Sequence, residues 1–530
     1  MRRRRWTLAV WTLLTISGCA ATVEQPRDPL LVARAAAESS NDSELLGRAL
    51  LVELIAPGGA TTKAGALRSR IDEQAQAKGA YASLARALDD ELHGSLNSAS
   101  GYYLQALEAL SSSDSAETAL LASFASVRLR MLRGVTDSFF KTNQARLQAM
   151  FDRPGRIGYR ARTDLLTLLH SEKTTAASRA QFSTDGGCVT AARFAGPFGK
   201  PANGDIFVKF AAEEPTPWPT AFPPSRADGT SPIVRAGQAG ECTLTAVGTP
   251  AANAAGTHYV ESFITVDQEV AGLLSVSGAL SIRVNGWEVA KYDPRNFASF
   301  ASSVVALRLA PGRHRVVARL LSPSTELRFI DRWGVPVAFK ADTDGALPHS
   351  LSKPTVEHNH HPLAPWLRAA SLVEPGNWPA PPPSRTQVDV ADPVLRYIAS
   401  ALSSSEGHHD LATVLLEPLV KEQARATAAS LALAAFAAEE DPIFSKNDAR
   451  DLAFLYRKEA VNKDARLWYA QLWLLIHTAE KEGEKTALEP LAELARNFPE
   501  VPAIGKALYS LYGRLGYKPE QKRVVADLAR

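Results

Sequence analysis

The sequence predicts a multidomain chain of α and β parts, with helical-repeat or bundle regions on either side of an antiparallel β-sandwich. Three observations predict it. Alanine- and leucine-rich segments with helical spacing fill both flanks of the chain, and between them lie short runs rich in branched and aromatic residues, punctuated by glycine, proline, asparagine and serine. The length, 530 residues, exceeds one ordinary domain and suggests about three. A composition of 45% hydrophobic and 22% charged residues is that of a globular protein.

Residues 1–19 read MRRRRWTLAVWTLLTISGC: four arginines, then a twelve-residue stretch from Trp6 to Ser17 that is too short to span a bilayer and suits a signal-peptide core. Ile16-Ser17-Gly18-Cys19 resembles the lipobox of bacterial lipoproteins. The resemblance implies cleavage after residue 18 and acylation of Cys19, with residues 19–42 as a tether. Residue 20 is Ala20 rather than the aspartate that retains such lipoproteins at the inner membrane, so the expected address is the outer membrane, lipid-anchored, facing periplasm or cell surface. Removing residues 1–18 takes four arginines and no acid, leaving 55 basic against 56 acidic side chains, a balance of −1. Such a chain offers no basic footprint for nucleic acid.

Residues 43–180 form the first helical region. Ser43 to Ala56 is closed by Pro57-Gly58-Gly59, and Tyr103, Leu104, Leu107 and Leu110 recur at helical spacing. Six or seven antiparallel helices are expected. Residues 186–340 form the β-sandwich, with strands at Ile206 to Phe210, Tyr259 to Val266, Leu280 to Val284, Val304 to Leu309 and Arg315 to Leu320. Asn285-Gly286 predicts a type I′ hairpin, and Ala310-Pro311-Gly312 a second turn. Residues 341–391 form a proline-rich linker, with nine prolines from Pro348 to Pro383, expected to separate the flanking cores. Residues 392–530 return to the helical pattern. There Gly483 and Gly516 lie 33 residues apart, each between helices. This spacing resembles degenerate tetratricopeptide repeats, although the tryptophan expected early in the first helix is missing and Ile476 and Tyr509 stand where a small residue belongs.

The middle segment also resembles a known family. Arg193-Phe194-Ala195-Gly196-Pro197-Phe198, Ser281-Ile282-Arg283-Val284-Asn285-Gly286-Trp287 and Leu309-Ala310-Pro311-Gly312-Arg313-His314 are similar, in order, to motifs of a galactose-binding-like sandwich. The three regions together resemble the non-catalytic part of larger transglutaminase-like bacterial proteins.

No hydrolase elbow, zinc-protease helix or phosphate loop is present, and no carboxylate pair is placed as acid and base; no catalytic residue, cofactor or metal site is expected. Cys188 and Cys242, the two cysteines left after lipidation, both fall in the β-region; they read as a disulfide or as two buried thiols, with catalysis a remote third. Glu357-His358-Asn359-His360-His361 has metal-ligand chemistry but reads as a solvated linker run, and His408 and His409 as surface residues near a helix start. Trp218, Trp287, Tyr292 and Trp333 could stack on sugars or serve core and hairpin ends, with Trp287 and Trp333 the ligand-binding candidates. Trp468 and Tyr469 read as packing residues. The expected function is non-catalytic: a scaffold or adaptor binding another envelope protein through stacked helices, carried by residues 392–530. Glycan binding by the sandwich, or an accessory role to a separate envelope enzyme, are the alternatives.

Overall fold

The fold is that of a computed structural model. It describes residues 28–528 apart from 75–78, 112–114, 133–136, 154–156, 171–174, 201–204, 206–207, 227, 249–255, 292–301, 348–351, 358–360, 365, 367–389 and 442–445. The leader, Cys19, Tyr292 and the His358-Asn359-His360 run lie outside the described residues.

The first helical region contains α1 (Pro29–Glu38), α2 (Ser43–Ile55), α3 (Thr61–Asp72), α4 (Ala80–Leu92), α5 (Leu96–Leu110), α6 (Ala116–Leu132), α7 (Asp137–Phe151), α8 (Gly158–His170) and α9 (Ala176–Asp185). Helix α1 occupies the segment expected to be a tether. Its start is chemically defined: the Asp28 carboxylate accepts from Leu30 N at 3.0 Å, and Pro29 takes the first helical turn, where a missing N–H costs nothing. Asp42 caps α2 likewise, accepting from Glu44 N at 2.9 Å. Helix α2 meets α4 backbone to backbone at Gly47, where a Cβ would lie 2.3 Å from Ala82 N.

Among the described residues twelve strands follow: β1 (Arg193–Phe198), β2 (Ile233–Gly240), β3 (Thr243–Ala246), β4 (Thr257–Val266), β5 (Val270–Ser277), β6 (Ala279–Val284), β7 (Trp287–Lys291), β8 (Ser302–Leu309), β9 (Gly312–Leu320), β10 (Ser324–Ile330), β11 (Lys340–Asp342) and β12 (Thr355–Val356). All pairings are antiparallel, in the order β12-β8-β5-β10-β3-β2-β1-β4-β9-β6-β7, with β11 on β4. One layer is β12-β8-β5-β10 and the other β1-β4-β9-β6-β7. Strands β2 and β3 join them into a nearly closed sandwich. Alternate residues such as Val260, Ile264, Val316, Ala318, Leu274 and Phe329 fill its interior. The hairpin β6–β7 turns on Asn285 and Gly286 at φ 55° and 83°, the left-handed pair that a type I′ turn needs. Residues 208–210 do not extend as the expected strand; the chain bends there into a 3-10 turn at Ala211–Glu213.

The second helical region contains α10 (Pro393–Ser405), α11 (His409–Val420), α12 (Ala428–Glu440), α13 (Lys446–Lys463), α14 (Trp468–Glu482), α15 (Leu488–Asn497), α16 (Pro502–Leu515) and α17 (Lys518–Leu528). The two helical regions, far apart in sequence, pack on one another: α10 lies against α2 and α6, and α12 against α2. Asp392, which caps α10 through Val394 N at 2.8 Å, also pairs with Arg48 of α2. Ser430 Oγ donates to Ile55 O at 2.7 Å, and Gly58 N to Arg425 O at 2.6 Å. The sandwich docks on α8, where Tyr159 N donates to Arg332 O at 3.1 Å and Tyr159 packs with Leu273, Val304, Ala306 and Ile330. The segment after β12 buries Leu363, Ala364 and Trp366 in the same apolar core as the helices. The proline-rich segment therefore does not keep the cores apart.

Candidate functional site

Where the helical regions meet they leave a groove of about 330 Å³. Each wall comes from a different part of the chain. Helix α4 supplies Leu88, Glu91 and Leu92; α6 supplies Phe124, Arg128 and Met131; α10 supplies Tyr397; α12 supplies Leu433 and Phe436; the starts of α14 and α16 supply Trp468, Tyr469 and Pro502. Most of these side chains are apolar or aromatic, as in sites that accept an apolar ligand side chain. Met131, on the rim, is 57% exposed.

The polar centre is built around Glu91. Its carboxylate accepts from Tyr103 Oη at 2.7 Å and from Arg128 Nε at 3.0 Å, and Trp468 Nε1 donates to its backbone oxygen at 2.8 Å. One residue of α4 thus fixes side chains from α5, α6 and α14. Burial pushes the Tyr397 and Tyr469 phenols up to about 12, so both keep their protons near neutrality. Glu91 and Arg128 neutralise each other, and the remaining lining named above is uncharged. Such a groove can hold an aromatic or aliphatic anchor and offer a few polar contacts.

Elsewhere the residues singled out by sequence fall apart. Cys188 and Cys242 come to disulfide distance, with a Cα–Cα separation of 5.1 Å. Trp287 stands 48% exposed at the hairpin, with Lys353 Nζ 4.9 Å from its ring centre. Trp333 is half-buried in a turn held by Asp331, which accepts from Trp333 N and Val335 N at 2.8 and 2.9 Å, close to the junction with α8. Trp287 thus stands at the β6–β7 hairpin and Trp333 in the turn after β10. Trp218 is buried.

Three histidine expectations are corrected. His361 is 4% exposed and lies 3.0 Å from Glu406, while Glu357 turns to Arg308 on β8. His408 and His409 are buried rather than on the surface. Burial pulls His408 down to about 4, so it is neutral at pH 7. Glu406 is also buried, which would raise its pKa, but His361 and Arg160 outweigh this and hold it at about 2. Arg160 reaches Glu406 at 3.3 Å from α8, so this cluster ties β-domain, first helices and second helices together.

Sequence reasoning missed Glu91, Arg128 and a set of arginines on the sandwich. Glu91 gave no signal, because its partners lie on other helices. The arginines did: Arg313, Arg315 and Arg319 alternate along one strand, which places them on one face. No protein-family model, curated protein or solved structure gives a significant match to this chain. Among the described residues no helix is long and apolar enough to cross a membrane.

Proposed function

We propose that the chain is a non-catalytic adaptor of the bacterial envelope that seats a segment of another protein in the groove between its helical regions. The carrying observation is the groove itself, an aromatic-lined channel with an exposed methionine on its rim. Flexible, polarisable methionine suits surfaces that accept varied apolar partners. Tyrosine and tryptophan supply large contact area at low conformational cost. The test is recovery of partners from gently solubilised envelopes. Leu433→Asp, which puts a charge on the groove wall, should lose the partner band, whereas Val414→Asp, at a 47%-exposed position on α11, should keep it. Equal recovery by both variants would refute the groove.

The address rests on Ile16-Ser17-Gly18-Cys19 after a charged apolar leader. Lipidation at Cys19 would anchor the adaptor to the outer membrane, since each buried methylene contributes about 0.8 kcal/mol. Cys19→Ser should abolish labelling by a fatty-acid analogue and leave an unprocessed precursor; normal labelling would end the lipoprotein reading.

A further inference from the structure

The layer β1-β4-β9-β6-β7 has two faces. One fills the sandwich interior; the other is charged, yet covered. Register sets Arg193 of β1 opposite Glu261 of β4, Arg315 and Arg319 of β9 opposite Phe263 and Tyr259, and Arg283 of β6 opposite Val317. Over this face lies the segment between β1 and β2, which lays Ala212, Trp218 and Phe222 against Tyr259 and Val317.

Elsewhere on this face charges balance. Arg313 pairs with Asp342 at 2.5 Å, while Arg283 and Arg319 are met by two carboxylates, Arg283 by Glu288 at 2.7 Å and Glu213 at 3.1 Å, Arg319 by Glu213 at 3.6 Å. Glu261 alone faces both Arg193 and Arg315: it accepts from Arg193 Nε and, at 2.6 Å, from Arg315 Nε. The triad carries a net charge of about +1, with Glu261 fully buried and the Arg315 side chain 1% exposed. Arg315 Nη1 is used by Glu214 O at 2.7 Å, but the Nη2 groups of both Arg315 and Arg193 are buried without a hydrogen-bond acceptor. Both guanidinium groups lie by the Trp218 ring, at 5.7 and 6.0 Å from its centre. A buried cation with unused donors is costly unless an acceptor meets it, and guanidinium edges match carboxylates in shape and charge.

The Arg193 side chain is 17% exposed, although its Nη2 is itself covered: Gly345 lies against that edge, where a Cβ would come within 2.7 Å of Nη2. On the other side, residues 214–217 are exposed and Trp218, next in the chain, turns inward.

We propose that Arg193, Glu261 and Arg315 form an anion-binding site that takes the carboxylate of a small ligand, entered beside Gly345 and walled by Trp218. The full chain is titrated at constant ionic strength with glucuronate, N-acetylalanine and glucose, following tryptophan fluorescence and melting temperature. The first two probes separate a sugar acid from a peptide terminus; glucose is the uncharged control. A saturable response to at least one carboxylate and none to glucose is expected. Arg193→Gln should weaken it at least tenfold. Glu261→Gln, which raises the charge of the site, should tighten it about tenfold. Gly345→Leu crowds the Arg193 guanidinium from outside, and should weaken binding at least tenfold. No saturable carboxylate response, or an affinity unchanged from the parent in both Arg193→Gln and Gly345→Leu, would overturn the site.

Discussion

His93 shows how one side chain joins distant parts of this chain. Its Nδ1 lies 3.0 Å from Asp89 on its own helix, and its Nε2 lies 3.0 Å from Asp464, after α13. Burial opposes its charge, but the bonds to Asp464 and Asp89 prevail and raise its pKa from 6.5 to about 9. A folded-state pKa above the unfolded one means stability fully present below about pH 6.5 and lost as pH rises through about 9. His93→Gln should therefore lower the thermal midpoint most near pH 6 and hardly at all above pH 10; a gap independent of pH would show that charge is not what His93 contributes. At this scale the sequence is only partly legible. Cys188 and Cys242 could be paired because few cysteines compete. The burial of His361 beside Glu406 could not be foreseen, because Arg160, which meets the same carboxylate, lies more than 200 residues away in sequence; His409 packs instead with Phe436 of the next helix.

Elements were the most legible level, since capping and turn chemistry are local. Asn285-Gly286 and Pro311-Gly312 mark turns that the structure contains, and Asp28-Pro29 carries a cap signal that a tether reading passed over. In the described part of the run expected at Ile206 to Phe210, Phe210 packs with the cover over the arginine face instead of entering a ladder. Two glycines test element packing against helix propensity. Gly47→Ala drives a Cβ into the backbone of α4 and should destabilise by about 1–3 kcal/mol. Gly65→Ala, in α3, has nothing within 4 Å to meet and should stabilise by about 0.5–1 kcal/mol. Urea unfolding of both variants checks the contrast; equal shifts would mean the α2–α4 contact is looser than described.

The molecule as a whole is where sequence reasoning reached least far. It gave two helical regions flanking a sandwich and assigned partner binding to the second alone. Instead the regions share a core, and the groove takes Leu88, Glu91, Phe124 and Arg128 from the first and Tyr397, Leu433, Phe436 and Trp468 from the second. Their union rests on contacts such as Trp468 Nε1 to Glu91 O and Ser430 Oγ to Ile55 O, which no local pattern announces. Deleting residues 392–530 would accordingly expose apolar faces of α2 and α6 rather than leave an intact remainder. The most direct measurement of the adaptor reading is photo-crosslinking in intact cells, with a benzophenone side chain placed at Met131 on one wall, at Leu433 on the opposite wall, or at Val414 outside the groove. The account predicts the same discrete adduct from Met131 and Leu433 and none from Val414; an adduct from Val414 alone, or none from either groove position, would contradict it.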